Sequence, residues 1–249
     1  MTEVQVRIFA SLSELSQAAA QEFSAAVGSA IQQRGLARLA LSGGSTPAEL
    51  YRLLARPPFR QSIAWEQVHF YWGDERCVPP TDAESSFGMV YTLLLGQVPV
   101  PPENIHRALG ELAPAAAALD YAAQLAQAGQ PGLPWPRFDL VLLGMGADGH
   151  TASLFPGQVN PGEASQAVIP VTAAYQDRPA NRVSLTPSVF NSARRVLFLA
   201  TGENKAAVLA QALHGPLDPL RLPVQRIQPA DGVVVWMVDQ AAASQLPPT

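Results

Sequence analysis

The sequence predicts an α/β fold: a Rossmann-like open, mostly parallel sheet with helices on both faces, forming a single domain over residues 1–249. Three observations carry that prediction. Short apolar segments alternate with amphipathic or Ala-rich helical stretches along the whole chain. Several of those segments, such as "LVLL" at 140–143, are apolar at every position, as strands become when helices cover both faces of a parallel sheet. The apolar share, 48% of 249 residues, is ample for one large core.

Each element follows from local signals. "VQVRIF" (4–9) reads as the first strand, and Ser11 and Ser13 offer N-caps for an Ala-rich helix that runs to Arg34 and stops at Gly35. "LARLAL" (36–41) is the second strand, followed by "SGGSTP" and a helix over about 47–55. "VHFYWG" (68–73) is the third, and helices over 85–95 and 114–128 precede a strand over 138–143. The pattern repeats through "AVIPVT" (167–172), "RVSLT" (182–186), "RVLFLA" (195–200), a helix over 203–213 and "GVVVWMV" (232–238). Prolines cluster at 99–102, 131–136 and 216–223, where they read as loops within one domain.

Composition excludes several function classes. No apolar run approaches the roughly 20 residues that span a bilayer, and the N-terminus lacks the pattern of a secretory signal, so a cytoplasmic protein is expected. A single cysteine, Cys77, rules out an intrachain disulfide framework and a thiolate zinc site. The net charge of −4 gives no electrostatic case for nucleic acid or an anionic membrane. A monomer or weak homo-oligomer is expected. Of sixteen basic side chains only Lys205 is lysine, which singles it out as a compact ammonium among arginines.

In an open parallel sheet, ligands collect outside the carboxyl ends of the strands, and four unusual loops fall there. In "SGGSTP", Ser42, Gly43, Gly44, Ser45 and Thr46 bring backbone N–H groups and hydroxyls to a helix N-terminus, a place that favours phosphate. The Walker pattern is missing, so a nucleoside triphosphate is not implied, and G-x-S-x-G is missing too, which counts against a serine nucleophile. In "GDERC", Asp74, Glu75 and Arg76 lie together, and the Arg76 guanidinium can grip phosphate or carboxylate in a fork. Cys77 has no evident partner base.

"GMGADGH" carries Gly144, Gly146 and Gly149 in a G-x-G-x-x-G spacing after an apolar strand. A dinucleotide fingerprint needs a helix starting within the glycines and an acidic residue about 20 positions on. The following "HTASLFPGQVNPG" allows one or two helical turns at most, and Glu163 and Asp177 are badly spaced, so no dinucleotide cofactor is expected. The glycines instead display Asp148 and His150, a carboxylate beside an imidazole that titrates near neutrality, as a general base requires. An Asp-x-His metal pair lacks further ligands, so no metal is expected. His69, His106 and His214 sit in ordinary contexts. In "TGENK", Lys205 falls in the first turn of the next helix, where an anion would bind.

Taken in order, "LALSGGSTP", "WGDERCV", "LLGMGADGHTASLFPG", "RVSLT" and "TGENK" resemble the 6-phosphogluconolactonases, and the resemblance runs from about residue 4 to residue 240. The related glucosamine-6-phosphate deaminases and isomerases share the SGGSTP and DGH loops. They typically carry D-E-Y where this chain has Asp74, Glu75 and Arg76, and D-G-H-I-A-F-N-E-P where it has 148–156. The deaminase alternative rests on Asp74, which takes the place of their acid-base aspartate; a non-catalytic sugar-phosphate sensor is a third reading, opposed by the intact Asp148/His150 pair.

The resemblance implies hydrolysis of 6-phospho-D-glucono-1,5-lactone, a small-molecule sugar-phosphate lactone, without metal or organic cofactor. It also implies that Gly43, Gly44, Ser45, Arg76 and Lys205 hold the phosphate, with Arg182 as an extra contact. Ser42, Thr46, Asp74, Gly146 and Gly149 would line the pocket. His150, oriented by Asp148, would take a proton from water as it attacks C1, and N–H groups of a glycine-rich loop would face the oxyanion.

Overall fold

In the computed structural model, which describes residues 3–159, 162–175 and 177–247, the elements run as follows. The first half contains β1 (Glu3–Phe9), α1 (Leu12–Arg34), β2 (Ala37–Leu41), α2 (Ser45–Leu54), α3 (Phe59–Ser62), β3 (Val68–Trp72), β4 (Asp74–Arg76), α4 (Ser86–Leu93) and α5 (Pro114–Gln127). The second contains β5 (Leu140–Gly144), β6 (Val168–Thr172), β7 (Asn181–Leu185), α6 (Pro187–Phe190), β8 (Arg195–Ala200), α7 (Ala206–His214) and β9 (Val233–Asp239).

Six strands form one sheet in the order β1-β9-β8-β5-β2-β3, and every pairing in it is parallel. The expected fold is borne out. Strand residues alternate between two cores, as the period of two demands. Leu39, Leu41, Leu140 and Leu142 pack with Leu15, Phe23 and Val27 of α1 and Leu50 and Leu54 of α2. Ala40, Val141 and Leu143 face the other way, toward Tyr121 and Leu125 of α5 and Val208 and Leu209 of α7. At the ends of α1, Ser11 Oγ accepts the Glu14 N–H at 3.2 Å, and Gly35 closes the helix at φ 79°. Ser13 lies inside the first turn.

Four expectations are corrected. The segments read as further strands of the same pattern at 167–172 and 182–186 leave the parallel sheet; β6 and β7 pair antiparallel with β4 in a second sheet ordered β4-β7-β6. Pro170 explains part of this, since a residue with no N–H is tolerated in an edge strand. "DER" is therefore a strand, not a loop. Gly73 is the junction: its N–H donates to Leu41 O at 2.8 Å and its carbonyl accepts from Leu185 N at 2.8 Å, one bond to each sheet. Helix α2 starts at Ser45 rather than Pro47, and Lys205 ends a 3₁₀ turn (Glu203–Lys205) before α7.

The carboxyl edge is braced by two buried tyrosines. Tyr51 Oη, on α2, donates to Ser42 O at 2.7 Å and accepts the Ser42 N–H at 3.3 Å. Tyr121 Oη, on α5, does the same for Trp72, donating to its carbonyl at 2.9 Å and accepting its N–H at 2.7 Å. Burial pushes both phenols far up, so each stays neutral and keeps its proton to donate. Tyr51→Phe would strand a buried N–H and carbonyl, a loss of about 1–3 kcal/mol. Calorimetry should show it as a lower Tm, by roughly 2–4 °C per kcal/mol for a chain of this size; an unchanged Tm would show that the hydroxyl braces nothing.

Candidate active site

A cavity of about 360 Å³ opens at the carboxyl ends of β2, β5 and β8, where the order in which strands are added to the parallel sheet reverses, between β2 and β5. It gathers residues from all four loops: Ser42, Gly43, Gly44, Ser45 and Thr46, then Asp74 and Arg76, then Gly146 and His150, then Lys205, with Arg182 from β7. Gly149, expected among the lining residues, is not there. An added Cβ at Gly149 would lie 2.6 Å from Leu222 Cδ2, so this residue turns into the packing behind the loop.

Gly44 sits at the N-cap of α2 with φ 100°, a conformation that L side chains rarely adopt. The amides of Gly43 and Gly44 find no acceptor among the described residues, and they lie at the positive end of a ten-residue helix. Thr46 Oγ1 reaches Thr201 Oγ1 at 3.2 Å and so ties this loop to the one bearing Lys205. The latter is pinned from behind by Asp239, whose carboxylate accepts the Gly202 N–H at 3.0 Å. Lys205 is half-buried; burial lowers its pKa and the charge of Asp148 opposes the shift.

The three residues Asp74, Glu75 and Arg76 part company because strand neighbours point to opposite faces. Asp74 is buried at the cavity, its Oδ2 accepting from Ser153 Oγ at 2.6 Å. Glu75 turns away and caps α4, accepting the N–H groups of Ser86 at 2.8 Å and Phe87 at 2.7 Å. Arg76 returns to the cavity, held by Glu84 O at 2.7 Å, with its Nε left without a partner among the described residues. Opposite it on β7, Arg182 is 2% exposed, lies over the Phe155 ring and also has an unpartnered nitrogen, Nη2. Burial lowers the Arg182 pKa, with Asp74 opposing. A buried and a part-buried guanidinium, both lining the cavity, form a place for an anion.

His150 Nδ1 lies 2.6 Å from Asp148 Oδ1. Burial raises the Asp148 carboxyl pKa, but the hydrogen bond and charge of His150 outweigh that and hold it below the usual carboxylate range. An ionised carboxylate only accepts, so the Nδ1–H donates and Nε2 is left for the cavity that His150 lines. Asp148 itself stands behind the imidazole, outside the lining.

Three amides of this loop are bonded within it. Gly146 N–H donates to His150 O at 2.8 Å, Gly149 N–H to Gly146 O at 3.1 Å and His150 N–H to Asp148 Oδ1 at 3.1 Å. The loop thus presents an imidazole to the cavity, while the Gly43 and Gly44 amides and the cations supply donors. Thr151 Oγ1, donating to Gly144 O at 2.8 Å, is structural.

Sequence reading missed Tyr175, Arg178, Thr201 and Asn204, which also line the cavity. Thr201 and Asn204 flank the "TGENK" turn and were within reach of it. Tyr175 and Arg178 come from the β6–β7 connection, whose sequence carries no motif.

Among known proteins, the family described as glucosamine-6-phosphate isomerases/6-phosphogluconolactonase matches residues 10–236. A 6-phosphogluconolactonase of Haemophilus influenzae is 40% identical over 208 residues, 84% of this chain and 87% of that protein. One of Rattus norvegicus is 40% identical over 245 residues, 97% of this chain and 93% of that one. The solved structure of 6-phosphogluconolactonase from Trypanosoma brucei superposes with a TM-score of 0.85 at 26% identity, covering 99% of this chain and 100% of that one.

The contact between the carboxylate and the imidazole needs a glycine in front of it. A Cβ on Gly146 would lie 2.0 Å from His150 Nδ1 and 2.4 Å from Asp148 Oδ1. Gly146→Ala should therefore separate the pair and lower kcat at least 10-fold, the loss expected when a catalytic group is displaced, while the thermal melt stays cooperative. Wild-type kcat in that variant would show that the pair tolerates the intrusion.

Proposed function

The chain belongs to the glucosamine-6-phosphate isomerase/6-phosphogluconolactonase family, and from that premise we propose that it hydrolyses 6-phospho-D-glucono-1,5-lactone to 6-phospho-D-gluconate with His150 as general base. The reaction is the second step of the oxidative pentose phosphate pathway. One observation carries the assignment of the base: the 2.6 Å contact between His150 Nδ1 and Asp148 Oδ1, made in a cavity that ends on cations and a helix N-terminus.

The substrate is a cyclic ester with a dianionic phosphate at the far end. The phosphate lies against the amides of Gly43 and Gly44, the Ser45 and Thr46 end of α2, Arg76, Arg182 and Lys205. That anchoring places the lactone carbonyl beside His150. The imidazole Nε2 takes a proton from water as the water oxygen bonds to C1, giving a tetrahedral oxyanion. Asp148 keeps the second imidazole proton on Nδ1 and stabilises the imidazolium as it forms, a role that needs an ionised carboxylate. Collapse of the oxyanion breaks the bond from C1 to the ring oxygen, and the imidazolium returns its proton to that oxygen as it leaves. Atoms balance as lactone plus water giving the open-chain acid, and no redox step or metal is called for.

The lactone is best generated in place from glucose 6-phosphate by a separate dehydrogenase, with spontaneous hydrolysis subtracted. His150→Ala should then lower turnover about 100-fold or more; turnover near wild type would remove His150 as the base, and ammonia release from glucosamine 6-phosphate by the wild type would move the chain to the deaminases. Lys205→Met should weaken binding of 6-phosphogluconate, and equal affinity in a calorimetric titration would take Lys205 out of the phosphate site.

A further inference from the structure

We propose that Tyr175 is a positioning residue for His150, steering the imidazole with its ring. The inference rests on the reading of His150 as the base and adds a residue to that site. The Tyr175 ring meets the imidazole in a T-shaped contact, with centroids 4.7 Å apart and planes at 75°. Phe155 covers it from another side, at 4.8 Å and 32°, and the two aromatic rings themselves lie 5.8 Å apart. With Nδ1 fastened to Asp148, these two rings fix the remaining freedom of the imidazole, its rotation about the bond that carries it.

Burial and the charge of Asp148 raise the Tyr175 phenol, which therefore remains neutral.

Tyr175 is itself well anchored. The Arg178 N–H donates to Tyr175 O at 3.0 Å. The Arg178 guanidinium meets Glu84 Oε2 at 3.1 Å, and the Glu84 carbonyl holds Arg76 at 2.7 Å. Tyr175 is thus fastened through Arg178 to the same residue that holds a phosphate-site arginine. Binding at one end of the cavity and orientation at the other share a frame.

Two truncations and one conservative variant test this, by kinetics and by ¹⁵N-histidine NMR of the free enzyme. Tyr175→Ala and Tyr175→Leu should lower kcat about 10-fold, a loss typical of a catalytic group left loosely held, with KM changed less than about threefold. Tyr175→Phe keeps the ring and should recover most of that kcat. In the NMR experiment neutral His150 should show one tautomer, protonated at Nδ1, in the wild type and in Tyr175→Phe, and a mixture of tautomers in both truncations. Wild-type kcat in the truncations, or a loss confined to KM, with the single tautomer retained, would overturn the proposal. If His150→Ala proves active, the base assignment fails, and the tautomer signature still decides whether Tyr175 positions the imidazole.

Discussion

A parallel strand that ends at a ligand site leaves its last peptide groups beyond the hydrogen-bond ladder, and the rest of this site depends on how those groups are satisfied. At β2 and β3 the answer is the same. A tyrosine from a covering helix, Tyr51 or Tyr121, inserts its hydroxyl and satisfies both the N–H and the carbonyl of the next or last strand residue. Water is thereby unnecessary at Ser42 and Trp72, and the loops that leave these points start from fixed positions. The anion loop then presents the amides of Gly43 and Gly44, for which no acceptor lies among the described residues. Gly73, bonded to Leu41 and to Leu185, carries the same rigidity across to the small antiparallel sheet that holds Arg76 and Arg182.

Against that frame the base is built by local geometry. Residues 148 and 150 are two apart, so their side chains meet only if the loop folds back, which the Gly146–His150 backbone bond accomplishes. The closeness of the pair in turn excludes any side chain at Gly146. The amides of Gly146, Gly149 and His150 are bonded within the loop and hold the pair in orientation. Arg76 Nε and Arg182 Nη2 have no partner among the described residues, a state that an anionic ligand relieves.

Much of this was legible in the residues. The alternation of apolar runs with helical stretches gave the parallel sheet, and glycine-rich turns after strands marked where its carboxyl edge would bind. Asp148, His150, Lys205 and the Gly43–Gly44 turn were each visible because their chemistry and their place after a strand agreed. What was hidden depends on tertiary structure. "RVSLT" has the composition of a strand but not the address of one, and its pairing with Asp74–Arg76 in a second sheet comes from a long connection. Glu75 looked like a site carboxylate until strand alternation turned it toward the amides of α4. Gly149 shared a spacing with Gly146 but packs on Leu222. Tyr175 lies in a connection with no pattern, and only its 4.7 Å approach to His150 reveals it.

The central claim is that Asp148 makes His150 a base by fixing which nitrogen carries the proton. Steady-state kinetics of Asp148→Asn on the lactone test it directly, since the substitution keeps the shape and lets the 148 side chain donate to Nδ1 instead of accepting from it. The account predicts a fall in kcat of about 10²–10⁴, the range seen when such an orienting carboxylate is neutralised, with KM within a few-fold of wild type. A variant that keeps wild-type kcat would contradict it and leave the contact between Asp148 and His150 as packing alone.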